Sequence, residues 1–180
     1  MSTEAVVRKL ESYEHFGFKW IAAGSGGFHR WVTDNNEGPR PEFMTCGLCC
    51  FHLPLVAAIQ TSCISRDRAG DLIVDQMAAG MHNQTPQQWA PAGLTKYRNW
   101  PLFANAPRRG DVVFFSGLNA PYFAHVAVAT GNGDEVISFG HNAPYLQGGL
   151  HALMVERLTI ADIKRLNNAL TDVHFGTPSW

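Results

Sequence analysis

A chain of 180 residues, 46% apolar and 16% charged, is long and apolar enough to bury a core without metal or disulfide staples, and reads as a single domain over 1–180. Its net charge of −1 offers no basic surface for nucleic acid, and no apolar run approaches the roughly 18 residues of a membrane span. The N-terminal stretch has an early acid and no continuous apolar core, so no Sec signal peptide is expected; the chain is placed in the cytoplasm of its producer, or exported without such a peptide.

Residues 4–13 set Val6, Val7 and Leu10 on one face of a short amphipathic helix. The Gly-, Asn- and Pro-rich stretch 24–41 predicts a long loop, with one turn around Trp31. An apolar segment follows, predicted as a buried helix over about 50–61. Pro54 bears on its start, because proline is tolerated in a first turn but costs about 3 kcal/mol in a helix interior. A start near Cys50 or Phe51 suits Pro54; a start at Cys46 does not. A second helix is predicted over 69–80. Residues 81–110, with four prolines and no period, read as a long connection in which Trp89, Tyr97, Trp100 and Phe103 serve as core and loop anchors. Strands are predicted over 110–115 and 124–130, then a GNGD turn and a return strand over 135–139, with a weaker strand over 150–157. Thr159 with Asp162 three residues on predicts a capped C-terminal helix through Leu170. Helices first and an antiparallel sheet afterwards make the class α+β.

The four cysteines are Cys46, Cys49, Cys50 and Cys63. Three of them fall within five residues, a poor layout for a disulfide framework, so they read as thiols with at least one chemically employed. A thiol at a helix N-terminus is pushed toward thiolate by unpaired N–H groups and the helix dipole, and a histidine within reach completes a nucleophile–base pair. Cys50 sits where the apolar helix begins, and His125 opens a strand beside the small Ala124.

The segment RRGDVVFFSGLNAPYFAHVAVATGNGDEVISF resembles the second half of NlpC-type cell-wall peptidases and of related bacterial papain-like toxin domains. CCFHLPLVAAIQTSCIS is similar to the nucleophile helix of the toxin-like members, with Ala57-Ala58 and Ile64-Ser65 in the places that put Cys50 at the nucleophile position. The resemblance covers about 45–65 and 107–142. It implies a papain-like (NlpC-type) fold and hydrolysis of an amide bond through a thioester, by a peptidase, peptidoglycan amidase or glutamine deamidase of the effector or toxin kind. Expected partners are then a peptide, protein or peptidoglycan substrate and a cognate inhibitor or immunity protein, with no cofactor.

Cys46 remains a rival nucleophile, since T-C-G-L resembles the D-C-S-G-L of cell-wall peptidases; Cys49 lies one position off the helix start. The third residue stays open as well. If the GNGD turn closes a regular hairpin, Thr130 pairs with Glu135 and Ala127 with Ser138, which puts Ser138 on the face of His125. Asn142 shares that parity and is an equal candidate, with His141 behind them if the strand bulges. The family position is usually more polar, often histidine, and serine departs from it. The Cys50 backbone N–H and the Thr45 side chain are candidate oxyanion donors. Cys46-x2-Cys49 with Cys50, His52 and His82 has no second spaced pair, so zinc is not expected. Two further functions stay in view: acyl transfer by the same cysteine, disfavoured because histidine precedes cysteine in the acyltransferases of this type, and a non-catalytic binding module on the same fold.

Overall fold

The computed structural model describes residues 3–21, 26–34, 39–77, 85–98, 105–117, 123–141 and 151–180. Six helices and seven strands are assigned among them, in the order α1 (Thr3–Glu11), β1 (Gly17–Trp20), α2 (Gly27–Thr33), α3 (His52–Gln60), α4 (Arg66–Met77), α5 (Thr85–Trp89), β2 (Thr95–Lys96), β3 (Val112–Ser116), β4 (Phe123–Ala129), β5 (Glu135–Phe139), β6 (His151–Thr159), α6 (Ile160–Leu166) and β7 (Asp172–Gly176). The strands form one seven-stranded antiparallel sheet of order β1-β6-β5-β4-β3-β7-β2. The class is α+β.

Period-two side-chain alternation divides the central strands between two cores. Val112, Phe114, Val126, Val128, Ile137 and Phe139 face a core shared with the buried residues of α1, α2, α3 and α4. Val113, Phe115, Ala127, Ala129 and Val136 face a second core closed by Ile160 and Ile163 of α6. Both sides of β3 are therefore covered and all five of its residues are buried, which is why this strand reads as a continuous apolar run.

Local signals place most of these elements. Val6, Val7 and Leu10 are the buried stripe of α1. Pro54 is the third residue of α3, inside its first turn, as the expected start near Cys50 or Phe51 requires. The capping box forms at α6: Thr159 Oγ1 accepts from the Asp162 N–H at 3.0 Å, and Asp162 Oδ2 accepts from the Thr159 N–H at 3.2 Å. The helix nevertheless stops at Leu166, short of the expected Leu170, and the chain then enters β7. Two elements, α5 and β2, fall within 81–110 where a connection was expected; α2 is the turn expected around Trp31, seven residues long, and the N-terminal strand β1 lies in a stretch for which no element was expected. The last of these makes the sheet something other than a C-terminal unit, since β1 pairs with β6. Trp89 is a fully buried anchor against Phe51, Phe114 and Trp180, and Trp100 and Phe103 lie outside the described residues.

The β4–β5 hairpin has the expected register. The Thr130 N–H donates to the Glu135 carbonyl at 3.0 Å, and Ala127 pairs with Ser138. Registered pairing stops there, and β3 and β4 slip past each other between Phe115 and Ser116, so that Ser116 faces Phe123. The β4–β5 mouth thus opens at the level of His125 and Val126. Gly140 ends β5 at φ +73° and returns the chain to His141; a Cβ on it would meet the Trp20 indole at 2.6 Å from Nε1. Left-handed backbone is cheap for glycine alone. Gly140→Ala is expected to destabilise by at least about 1 kcal/mol from the backbone alone. Urea unfolding of the variant checks this, and parental stability would show that the turn can be made another way.

Candidate active site

Cys50 precedes α3 by two residues and is 7% exposed. Two backbone N–H groups face its sulfur, that of Phe51 at the head of α3 and that of Val126 in β4. The second contact comes at the open mouth, one residue beyond the last β4–β5 pair. It brings the sulfur of the helix-start cysteine to the residue that follows His125.

The His125 ring has no exposure. Its side chain leaves β4 on the α6 side, opposite Phe115, whose ring centroid is 5.5 Å away. Nε2 lies 2.9 Å from Ser138 Oγ; Nδ1 is buried and has no hydrogen-bond partner. Ser138 Oγ in turn lies 3.2 Å from His141 Nδ1, and His141 Nε2 lies 3.1 Å from Glu156 Oε2. Ser138 and Glu156 are direct neighbours across β5 and β6. The structure therefore brings His125, Ser138 and His141 into one row, by way of the turn at Gly140. Asn142 lies outside the described residues. No hydrogen bond joins Cys50 to the His125 ring among the described residues.

Burial sets the charge state. It drives the His125 pKa down to about 3, with neighbouring His141 adding to the effect. It also raises the Cys50 thiol well above its ordinary value, and the adjacent Cys49 thiol pushes the same way. Both groups rest neutral. The thiolate–imidazolium pair that a helix-start cysteine suggests is not the resting state here, because desolvation of the sulfur outweighs the two N–H groups facing it.

Cys49 has a different environment, one that sequence reasoning passed over. Burial opposes its ionisation, but the Cys50 thiol and the His52 imidazole beside it hold its pKa well below the usual thiol range. His52 is fully buried, stacks near Phe28 at 5.1 Å and His29 at 6.0 Å, and its Nδ1 accepts from the Cys49 backbone N–H at 3.1 Å. That bond occupies the lone pair with which Nδ1 would take a proton from sulfur. The i, i+3 spacing of Cys49 and His52 across the start of a helix was the available signal.

The remaining candidates are placed elsewhere. The Cys46 thiol is half-buried, points toward the Phe43 and Gly47 carbonyls at 3.8 and 4.0 Å, and is raised by burial. Thr45 is exposed and gives its hydroxyl to Glu42 Oε2 at 2.7 Å, so it is not an oxyanion donor in this arrangement. The four cysteines are all thiols, and among the described residues no three His, Cys, Asp or Glu side chains converge as a cation site. A cavity of about 440 Å³ lies at the β2–β7 edge, lined by Thr95, Asn105, Asp111 and Thr177, away from Cys50 and His125. Among the described residues no helix is long and apolar enough to cross a membrane.

No protein-family model matches the chain, and no curated protein or solved structure is significantly similar to it.

The buried imidazole has a consequence for stability. Its folded pKa of about 3 lies below the roughly 6.5 of an unfolded histidine, so the unfolded state binds the extra proton. The stabilisation is complete above pH 6.5 or so and is lost as pH falls toward 3, at about 1.4 kcal/mol per pH unit. His29, His141 and His174 are also lowered, chiefly by burial, and act in the same direction. Urea unfolding between pH 7 and pH 4 is expected to give a slope that is shallower by one proton in His125→Asn than in the parent. Equal slopes would mean that His125 is not desolvated in the folded chain.

Proposed function

We propose that the chain is a cysteine hydrolase of papain-like architecture that opens an amide bond through a thioester, with Cys50 as nucleophile, His125 as base and Ser138 as the residue that orients the base. One observation carries the reading. The His125 ring is held at Nε2 by Ser138 and keeps Nδ1 buried and unpartnered, while the N–H of the next residue, Val126, faces the Cys50 sulfur. A base needs a fixed ring and a vacant nitrogen, and His125 has both, although among the described residues no contact joins that nitrogen to the Cys50 sulfur in the resting chain.

The resting neutrality defines the order of events. Cys50 attacks as a thiol whose proton passes to His125 Nδ1 while the carbon–sulfur bond forms. The carbonyl π pair moves onto oxygen as that bond forms, and the Phe51 and Val126 N–H groups face the sulfur during the moment when its proton is leaving. The imidazolium then protonates the leaving amine, and a water deprotonated by the same ring hydrolyses the thioester, restoring the thiol. The substrate is a peptide or amide, and the resemblance to toxin domains extends this to peptidoglycan stems, proteins and glutamine side chains.

A second reading has a specific observation behind it. Cys49 is the thiol held toward ionisation, so it competes for the role of nucleophile. The His52 side chain lies against the Cys49 sulfur and keeps Nε2 buried and unpartnered, so this pair has a base of its own; what weighs against it is that Nδ1 is already engaged by the Cys49 backbone N–H.

Incubation with an activated thioester-forming substrate, followed by fragmentation mass spectrometry, separates these readings. The acyl adduct is expected on Cys50. Cys50→Ala should lose adduct and turnover while keeping the parental fold, and Cys63→Ala should keep both. An adduct on Cys49 with a dead Cys49→Ala transfers the role to that residue. An active Cys50→Ala with an adduct on Cys46 would place the nucleophile four residues earlier, in the segment before α3, and absence of any adduct would favour a binding module on this fold.

A further inference from the structure

The row behind His125 has a direction, which follows from its last member. Glu156 Oε2 lies 3.1 Å from His141 Nε2, and an ionised carboxylate accepts hydrogen bonds without donating any. A proton on Nε2 faces that oxygen favourably, whereas a bare nitrogen would set two lone pairs against each other. With Nε2 protonated and the ring neutral, His141 Nδ1 is an acceptor, and the group 3.2 Å from it is the Ser138 hydroxyl. Ser138 then gives its one proton to His141. Its oxygen is left to accept from His125 Nε2 at 2.9 Å, which puts the His125 proton on Nε2. Nδ1 is then the bare nitrogen.

We propose that His141 and Glu156 are positioning residues that act through Ser138 to fix the tautomer of His125, holding its proton on Nε2 and its lone pair on Nδ1. The inference rests on the reading of His125 as base. It goes further by assigning the orienting function to a relay of three side chains rather than to one. A lone serine does not do this, because a hydroxyl accepts or donates equally well and leaves both tautomers of its partner open. The relay removes that freedom through a carboxylate two residues away in the chain of contacts. The reverse order also has a structural cost: it would bury a donating Nδ1–H on His125 with nothing to accept it.

Long-range proton–nitrogen correlation spectra of the full chain labelled with ¹⁵N-histidine read the tautomer without any need for turnover. In the parent at pH 7, His125 is expected to show a protonated-type Nε2 and an unprotonated-type Nδ1, and His141 the same pattern. Glu156 is 43% exposed at its side chain, so Glu156→Ala should fold. In that variant His125 should shift toward a mixture of tautomers. Glu156→Gln, whose amide oxygen still accepts, should restore the parental pattern, as a merely structural role for the charge would not. Ser138→Ala should disconnect His125 from His141, so that Glu156→Ala no longer alters the His125 signals. Where turnover is measurable, Glu156→Ala should lower kcat on the order of tenfold with little change in KM, a fraction of what a general base contributes. A parental His125 with its proton on Nδ1, or a Glu156→Ala variant with unchanged His125 signals, overturns the relay. Loss of the relay in the spectra with an intact Cys50 adduct leaves the hydrolase reading standing; a confirmed tautomer with no adduct on any cysteine does the reverse.

Discussion

Burying the His125 ring at the mouth of β4 and β5 removes both of its nitrogens from water, and a buried polar group that finds no partner costs about 1–3 kcal/mol. Much of this end of the molecule is arranged around that cost. Ser138 is opposite Ala127 because the hairpin register puts it there, and its hydroxyl satisfies Nε2. His141 must come back over the same face to satisfy Ser138, and the left-handed Gly140 is what lets it return. Glu156 completes the row from the neighbouring strand, directly across from Ser138. Of the two His125 nitrogens, Nδ1 is left without a partner among the described residues.

The same low-dielectric environment governs the thiols, with opposite results for neighbours in the chain. Cys50 feels desolvation and an adjacent thiol, and rises; Cys49 feels a thiol donor and an imidazole, and falls. Two consecutive cysteines thereby divide two properties that a nucleophile needs. One is the more easily ionised, and the other has its sulfur at the Val126 N–H, next in the chain to His125. The pairing of helix start with strand mouth is possible because β4 and β5 separate one residue before they reach Val126, leaving its N–H to face sulfur instead of a strand.

The chain itself determined the elements whose signals are short-range. Alternation in 124–130 and 135–139 around GNGD gave the hairpin and its register, and counting outward from Thr130 and Glu135 placed Ser138 on the face of His125. Pro54 located the first turn of α3, and Thr159 with Asp162 located the start of α6. These succeed because a turn, a cap and a period of two are decided by residues a few positions apart. What the tertiary structure alone decided is longer in range. The strands β1 and β7, from the two ends of the chain, join a sheet whose centre lies between them in sequence. Glu156 meets His141 because β6 pairs with β5, and no spacing in the sequence encodes that meeting. The charge states of Cys49, Cys50 and His125 also lay beyond the sequence. A residue's type sets its ordinary pKa, but how far water is excluded from it, and which donors replace that water, depends on chain segments that meet only when the fold is complete.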